Sequence, residues 1–267
     1  MVTLSPPMAT LVTFHAHPDD EAIATGGTMA RAATAGHRVV LVTATAGDLG
    51  EVAEGFLAPG ETLAERRRAE LAAAAEILGV ARTEILGYRD SGMIGTPAND
   101  DPECFWQADV DKAAARLAAI LREESADVLT IYDDHGNYGH PDHIQVHRVG
   151  IRAAEMAGVS RVYEATLNRD ELGRLLTAAA ERGLLELPDI EGVGFEMGLP
   201  ESELTTVVDV SAHLDVKRAA MAAHASQISE TSFFLAMPPD AFAAAFSTEW
   251  YRRRDARPAD RETDLFG

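Results

Sequence analysis

The chain has 267 residues, 46% apolar and 25% charged, which suits one large α/β domain or two small ones with a substantial core. Its 43 acidic against 23 basic residues give a formal net charge of −20, which argues against nucleic acid and anionic lipid as partners, because both require a basic face. The single cysteine, Cys104, excludes an intramolecular disulfide and a cysteine-rich zinc ribbon.

Thr10 to Phe14 reads as a short buried strand, and Asp19 to Ala35 as a helix ended by Gly36. Arg38 to Thr45 is apolar nearly throughout, as a parallel strand buried on both faces should be. A loop through Gly60 leads to a helix from Glu61 to Leu78, closed by Gly79. A strand at Thr83 to Leu86 and an irregular stretch from Gly87 to Phe105 follow. Asp109 to Glu124 is helical, Ala126 to Tyr132 a fourth strand, His143 to Ala157 a helix closed by Gly158, and Arg161 to Ala165 a fifth strand. This alternation predicts an α/β fold, a Rossmann-like α/β/α sandwich around a mostly parallel sheet. Beyond Asn168 the pattern predicts a helix from Arg169 to Arg182, a strand from Thr205 to Val210 and helices from His213 to Ile228 and Pro238 to Phe246. A charged tail from Arg252 to Asp264 follows. The expected organisation is a single domain over 1–267, with a core at 1–165 and a C-terminal elaboration at 166–267; a separate C-terminal domain is the alternative. No apolar run approaches the ~20 residues that span a bilayer. Met1 to Ala9 has no basic residue ahead of an apolar run, so the expected location is cytoplasmic.

Two segments carry chemistry, and each lies where a strand gives way to a helix: His15-Ala16-His17-Pro18-Asp19-Asp20-Glu21, and Gly139-His140-Pro141-Asp142-His143. Strand ends of an alternating α/β protein converge on one crevice, and imidazoles with carboxylates suit zinc or ferrous iron there. Pro18 forces His17 out of helical geometry and starts the next helix, so His17 and Asp20 can face one ion while Asp19 reaches the same pocket. In the second segment one histidine can complete a two-histidine, one-carboxylate set and the other remains free for substrate. A carboxylate helix cap is the bland alternative for the first segment, and a surface turn for the second. His15 reads as a buried support rather than a fourth ligand. His224 and Gln227 are placed equally well in the pocket wall or in packing. Gly26-Gly27 is too weak for a dinucleotide fingerprint.

Together AHPDDE (Ala16 to Glu21), RDSGM (Arg89 to Met93) and YGHPDHIQVHR (Tyr138 to Arg148) resemble the LmbE-like or PIG-L-type N-deacetylases. The likeness is greatest to the group of the GlcNAc-inositol deacetylases of mycothiol biosynthesis and the mycothiol-conjugate amidases. It runs over residues 10 to 165, more loosely through His224 to Gln227. The resemblance implies a zinc-type ion, with ferrous iron possible, held by His17, Asp20 and His143 with one position open to water. It implies Asp19 as general base, and His140 as oxyanion stabiliser or proton donor with Asp142 orienting and charging it. Tyr138 would reach the acyl oxygen from a mobile loop. It further suggests Asp90 on sugar hydroxyls and Arg67, or its neighbour Arg68, on hydroxyls or a phosphate; helix register alone does not separate Arg66, Arg67 and Arg68.

The implied activity is removal of an N-acetyl group from an N-acetylglucosaminyl, GlcNAc-inositol-like small molecule. The alternatives are an amidase for a larger acyl group, such as a cysteinyl amide of a mycothiol conjugate, and an N-deacetylase of an antibiotic or other secondary metabolite. A non-enzymatic Rossmann-like binder with a structural His/Asp cluster is the rival from another class. A homo-oligomer is the default expectation for such a protein, though no interface can be read.

Overall fold

Two-residue alternation along the central strands decides where the core lies. The computed structural model describes residues 8–181, 197–257 and 261–267. In chain order its elements are β1 (Thr10–His15), α1 (Asp20–Ala24), α2 (Gly26–Thr34), β2 (Arg38–Thr45), α3 (Leu63–Leu78), β3 (Arg82–Tyr88), α4 (Val110–Glu123), β4 (Val128–Tyr132), α5 (Gly136–Gly139), α6 (Pro141–Ala157), β5 (Arg161–Thr166), α7 (Arg169–Glu181), β6 (Thr206–Asp209), α8 (Leu214–Ala223), α9 (Pro239–Phe246) and β7 (Thr248–Arg253). Leu11, Val39 and Leu41 join one buried cluster with α2, α3, α8 and α9. Val12, Phe14, Val40 and Val42 join another on the opposite face with α4 and α6. Both faces of the sheet are therefore covered, which is why these strands read as unbroken apolar runs.

The seven strands form one sheet in the order β3-β2-β1-β4-β5-β7-β6. The first five are mutually parallel, and β7 runs antiparallel between β5 and β6. The strand order reverses between β1 and β4, the position at which α/β proteins open a crevice outside the carboxyl ends of their strands. Helix boundaries follow local chemistry. Thr62 opens α3 with a reciprocal capping box to Glu65, and Gly79 closes it with φ 74°. His140 caps α6, Pro141 occupies its first position and Gly158 ends it. Among the described residues no helix is long and apolar enough to cross a membrane.

Two expectations are corrected. The helix expected from Asp19 to Ala35 is broken at Thr25, whose φ of −135° separates α1 from α2. The charged tail expected from Arg252 instead begins inside strand β7, where Glu249 and Tyr251 point inward. The two corrections have one cause. The Glu249 carboxylate accepts the backbone N–H groups of Gly27 and Thr28, both at 2.8 Å, and so caps α2 from the far end of the chain. Lys217 on α8 donates to the same carboxylate at 2.6 Å, with both side chains almost fully buried. Gly27 permits the approach: a Cβ there would lie 2.5 Å from Cβ of Val210. Charged residues hid the period-2 pattern of β7 because its inward carboxylate has a buried cationic partner. Arg182, the expected end of α7, lies outside the described residues.

Lys217→Met leaves the Glu249 charge buried without its cation. It is expected to destabilise the fold by about 3–5 kcal/mol, read as a lowered urea midpoint with an unchanged slope.

Candidate active site

The loops after β1 and β4 lie side by side, and the two histidine-bearing segments meet there. Ring nitrogens of His17, His140 and His143 lie within 4.8 Å of one another. Asp20 bridges two of these rings, with Oδ2 3.4 Å from His17 Nδ1 and Oδ1 3.4 Å from His143 Nε2. Its Oδ2 also accepts the His17 backbone N–H at 2.8 Å, which closes the turn around Pro18. Tyr132 stacks on His143 with ring centroids 4.3 Å apart, fixing that imidazole from behind. Tyr138, half exposed at the mouth, places its hydroxyl 3.4 Å from His143 Nε2.

This cluster stabilises positive charge. Burial alone would lower the His17 pKa, but hydrogen bonds with Asp142, Asp20 and Asp90 outweigh it and hold His17 well above its ordinary value. Asp20 is likewise held well below the usual carboxylate range: burial would raise it, and the nearby His143 and His17 outweigh that. His143 Nδ1 is buried without a hydrogen-bond partner. Two imidazoles with a carboxylate between them form a donor set that fits a divalent cation of the zinc or ferrous type.

Asp19 differs from Asp20. Burial, resisted by Arg67 and reinforced by the charge of Asp20, pushes its carboxyl up to about 6. Its Oδ2 lies 3.2 Å from Arg67 Nη2. Its backbone stands at φ 114°, far outside the range a residue with a Cβ ordinarily adopts. Helix register also separates the three arginines: Arg67 is buried, Arg68 is exposed, and Arg66 pairs with Glu61 at 2.7 Å.

Three of the expected site residues are already engaged by protein groups. Arg67 donates to the carbonyls of Pro18 and, at 2.8 Å, Gly47, so it ties the loops after β1 and β2 together. The Asp90 carboxylate accepts N–H groups of Leu49 (3.3 Å) and Gly92 (2.8 Å) and lies 3.5 Å from His17 Nε2, which fixes the loop after β3 against the histidine cluster. Asp142 meets His140 through its backbone N–H, which donates to His140 Nδ1 at 3.1 Å. Its carboxylate turns instead to His17 Nε2 at 3.1 Å and to the backbone and hydroxyl of Ser91. The start of α6 explains this: a backbone donor two residues after His140 already occupies the inner ring nitrogen. Burial, with the repulsion of His17 and His143, lowers His140 to about 4.

His15 is a support, with its nitrogens bonded to Tyr132 Oη and Thr25 Oγ1, both at 2.9 Å. His224, fully buried, sits 2.6 Å from Glu21 Oε1, and opposite charge raises the histidine and lowers the glutamate against burial acting on both. Ser226 donates its N–H and hydroxyl to Glu70 on α3, and the Gln227 amide donates to the Glu51 carbonyl. No motif in the sequence gives Glu21, Ser91 or Glu70 a task. Their partners are 203, 51 and 156 positions away, beyond any local pattern. The nucleotide-binding alternative fails on charge: the helix start after β1, where a phosphate would sit, is filled by Asp19 and Asp20.

The sequence pattern of the family described as PIG-L, GlcNAc-PI de-N-acetylase, matches residues 12–154, which span both histidine segments. The chain belongs to this family. Over 275 residues it is 44% identical to a 1D-myo-inositol 2-acetamido-2-deoxy-alpha-D-glucopyranoside deacetylase of Acidothermus cellulolyticus, covering 96% of this chain and 94% of the relative. Among solved structures, an N,N'-diacetylchitobiose deacetylase from Pyrococcus horikoshii is similar in fold, with a TM-score of 0.58 and 22% identity over 97% of this chain and 88% of that one. A 4-carboxy-2-hydroxymuconate hydratase of Pseudomonas putida is similar to nearly the same degree, with a TM-score of 0.56 and 20% identity over 94% and 98% of the two chains. Fold alone therefore does not select the reaction of a PIG-L chain; the residues at the strand ends must.

Gly47 stands at φ 64°, and a Cβ there would lie 2.2 Å from Arg67 Nη1. Gly47→Ala is expected to cost more than about 1 kcal/mol, measured by denaturant unfolding, because both backbone strain and displacement of Arg67 oppose it.

Proposed function

We propose that this PIG-L chain is a metal-dependent hydrolase that removes the acetyl group from the amino sugar of a GlcNAc-inositol-like substrate. The observation that carries the reading is the 44% identity, across nearly the whole of both chains, with a relative named for that reaction. The donor set described above supports it.

His17, Asp20 and His143 would hold the ion, zinc or ferrous iron. When bound, the ion supplies a positive charge that polarises an acyl carbonyl and makes water a stronger acid. Asp19 accepts the proton of the attacking water; burial readies its carboxylate for that, and Arg67 fixes its direction. His140 acts through Nε2. Its Nδ1 accepts the Asp142 N–H, so the neutral ring carries its proton on Nε2 and can donate to an acyl oxygen as negative charge grows there. Tyr138, at the mouth and in reach of His143, adds a second donor, its hydroxyl, on the open side. Asp142 and Ser91 orient His17 in this reading, and Arg67 positions Asp19.

We further propose that residues 1–267 work as one domain, because β6 and β7 complete the same sheet and His224 reaches Glu21 in the first turn of α1. A cytoplasmic enzyme acting on a small amino sugar fits the net charge of −20, which favours solubility over adhesion to polyanions.

The deciding experiment is free-amine release by the zinc- or iron-reconstituted protein from GlcNAc-inositol, N-acetylglucosamine, a mycothiol S-conjugate and an N-acetylated antibiotic. Turnover of GlcNAc-inositol that a chelator abolishes is expected. Selective turnover of the S-conjugate would instead make it an amidase for larger acyl groups. Asp19→Asn should keep its metal and lose about 10²–10⁴-fold in kcat; turnover at the parent rate would remove Asp19 from the role of base. For His143→Ala, elemental analysis should find metal content well below one ion per chain, and full occupancy would show that another residue completes the set.

A further inference from the structure

We infer that Glu21 and His224 are a buried positioning pair that fixes the backbone of Asp19. The inference rests on the assignment of Asp19 as the proton acceptor and extends it to the device that aims this residue.

The backbone of Asp19 needs such a device. A residue with a Cβ held at φ 114°, ψ −33° is strained, and persists only where its surroundings over-determine it. Both of its peptide groups are held. On one side its carbonyl accepts the N–H groups of Ala22 (3.1 Å) and Ile23 (3.3 Å), the first bonds of α1. On the other its own N–H donates to Glu21 Oε2 at 2.9 Å. A relaxed φ would turn that N–H from Glu21 and swing the carboxylate away from Arg67, 3.2 Å from it.

Glu21 can do this only if its charge is answered, because it is fully buried. His224 answers it at 2.6 Å through the second carboxylate oxygen. His224 arrives from the end of α8 and is fixed there by Ser226, whose two bonds to Glu70 tie the segment to α3. Arg67 lies on the same helix, three residues before Glu70. One helix and one segment thus hold Asp19 twice, its backbone through His224 and Glu21 and its side chain through Arg67. The pair reaches the proposed proton acceptor through the Asp19 N–H on Glu21 Oε2, so its influence on turnover is expected to run through Asp19.

The test is a double-mutant cycle on reconstituted full-length enzyme. Removing one member alone strands a buried charge, so both are replaced together, as Glu21→Met with His224→Leu, and metal content and unfolding midpoint are measured beside kinetics. Expected is a folded, fully metallated protein with kcat lowered about 10²-fold and KM changed less than about twofold, the pattern of a misaimed group. Glu21→Gln alone should restore most of the turnover, since its amide can accept the Asp19 N–H and donate to a neutral His224. In an Asp19→Asn background the paired replacement should cost nothing further. Unchanged kcat, loss of metal, failure of Glu21→Gln to restore turnover, or an equal further loss in the Asp19→Asn background would each overturn the inference. Asp19→Asn at the parent rate would instead overturn the base assignment itself, and the two failures are told apart by that single variant.

Discussion

The site exists because β1 and β4 are neighbours. Leu11 pairs with Val128, Val12 with Leu129 and Thr13 with Thr130, so two segments more than 120 residues apart leave the sheet at one level and on adjacent tracks. Each then meets a proline that turns the chain into a helix start. Were β4 at the edge of the sheet, His17 and His143 would be separated by at least one further strand spacing, too far apart to serve one ion. The register is secured by ordinary hydrophobic alternation: a shift by one residue would send Val12 and Phe14 to the wrong core.

A second constraint is electrostatic. Four carboxylates, those of Asp19, Asp20, Asp90 and Asp142, and three imidazoles share a crevice with little access to water. Such a group is stable only if charges alternate in space, and the contacts show how this is done. His17 stands among Asp20, Asp90 and Asp142, while Arg67 stands against Asp19. The aspartates then diverge, with Asp20 held ionised by histidines and Asp19 pushed toward neutrality by burial. Adjacent residues of one type acquire different chemical tendencies because only one of them faces the imidazoles.

How much of this could be read in the chain varies with the range of the interaction. The five parallel strands and their helices were legible because β1 to β5 are covered on both faces and local signals such as Thr62, Gly79 and Gly158 mark the ends. The convergence of the His17 and His143 segments was legible because strand order and proline placement are enough to imply it. Strand β7 was not: its inward Glu249 looks like a solvated charge until Lys217 and the α2 N-terminus are known. The breaking of the first helix at Thr25 has the same origin. The contacts of Arg67 and Asp142 were equally hidden, since motif spacing says which residues approach a site but not which of their atoms are already occupied by backbone groups.

The capping of α2 by Glu249 has a consequence for how the protein is made. The helix emerges among the first three dozen residues, yet the carboxylate that satisfies its leading N–H groups is translated 222 positions after Gly27. His224 follows the same schedule with respect to Glu21. A nascent chain therefore holds the segment from Asp19 to Thr28 without these two partners through most of synthesis. The contacts that supply them are of high sequence separation, a class that forms slowly. A ribosome that stalls before residue 224 would therefore release a polypeptide that carries both histidine segments and neither of these partners.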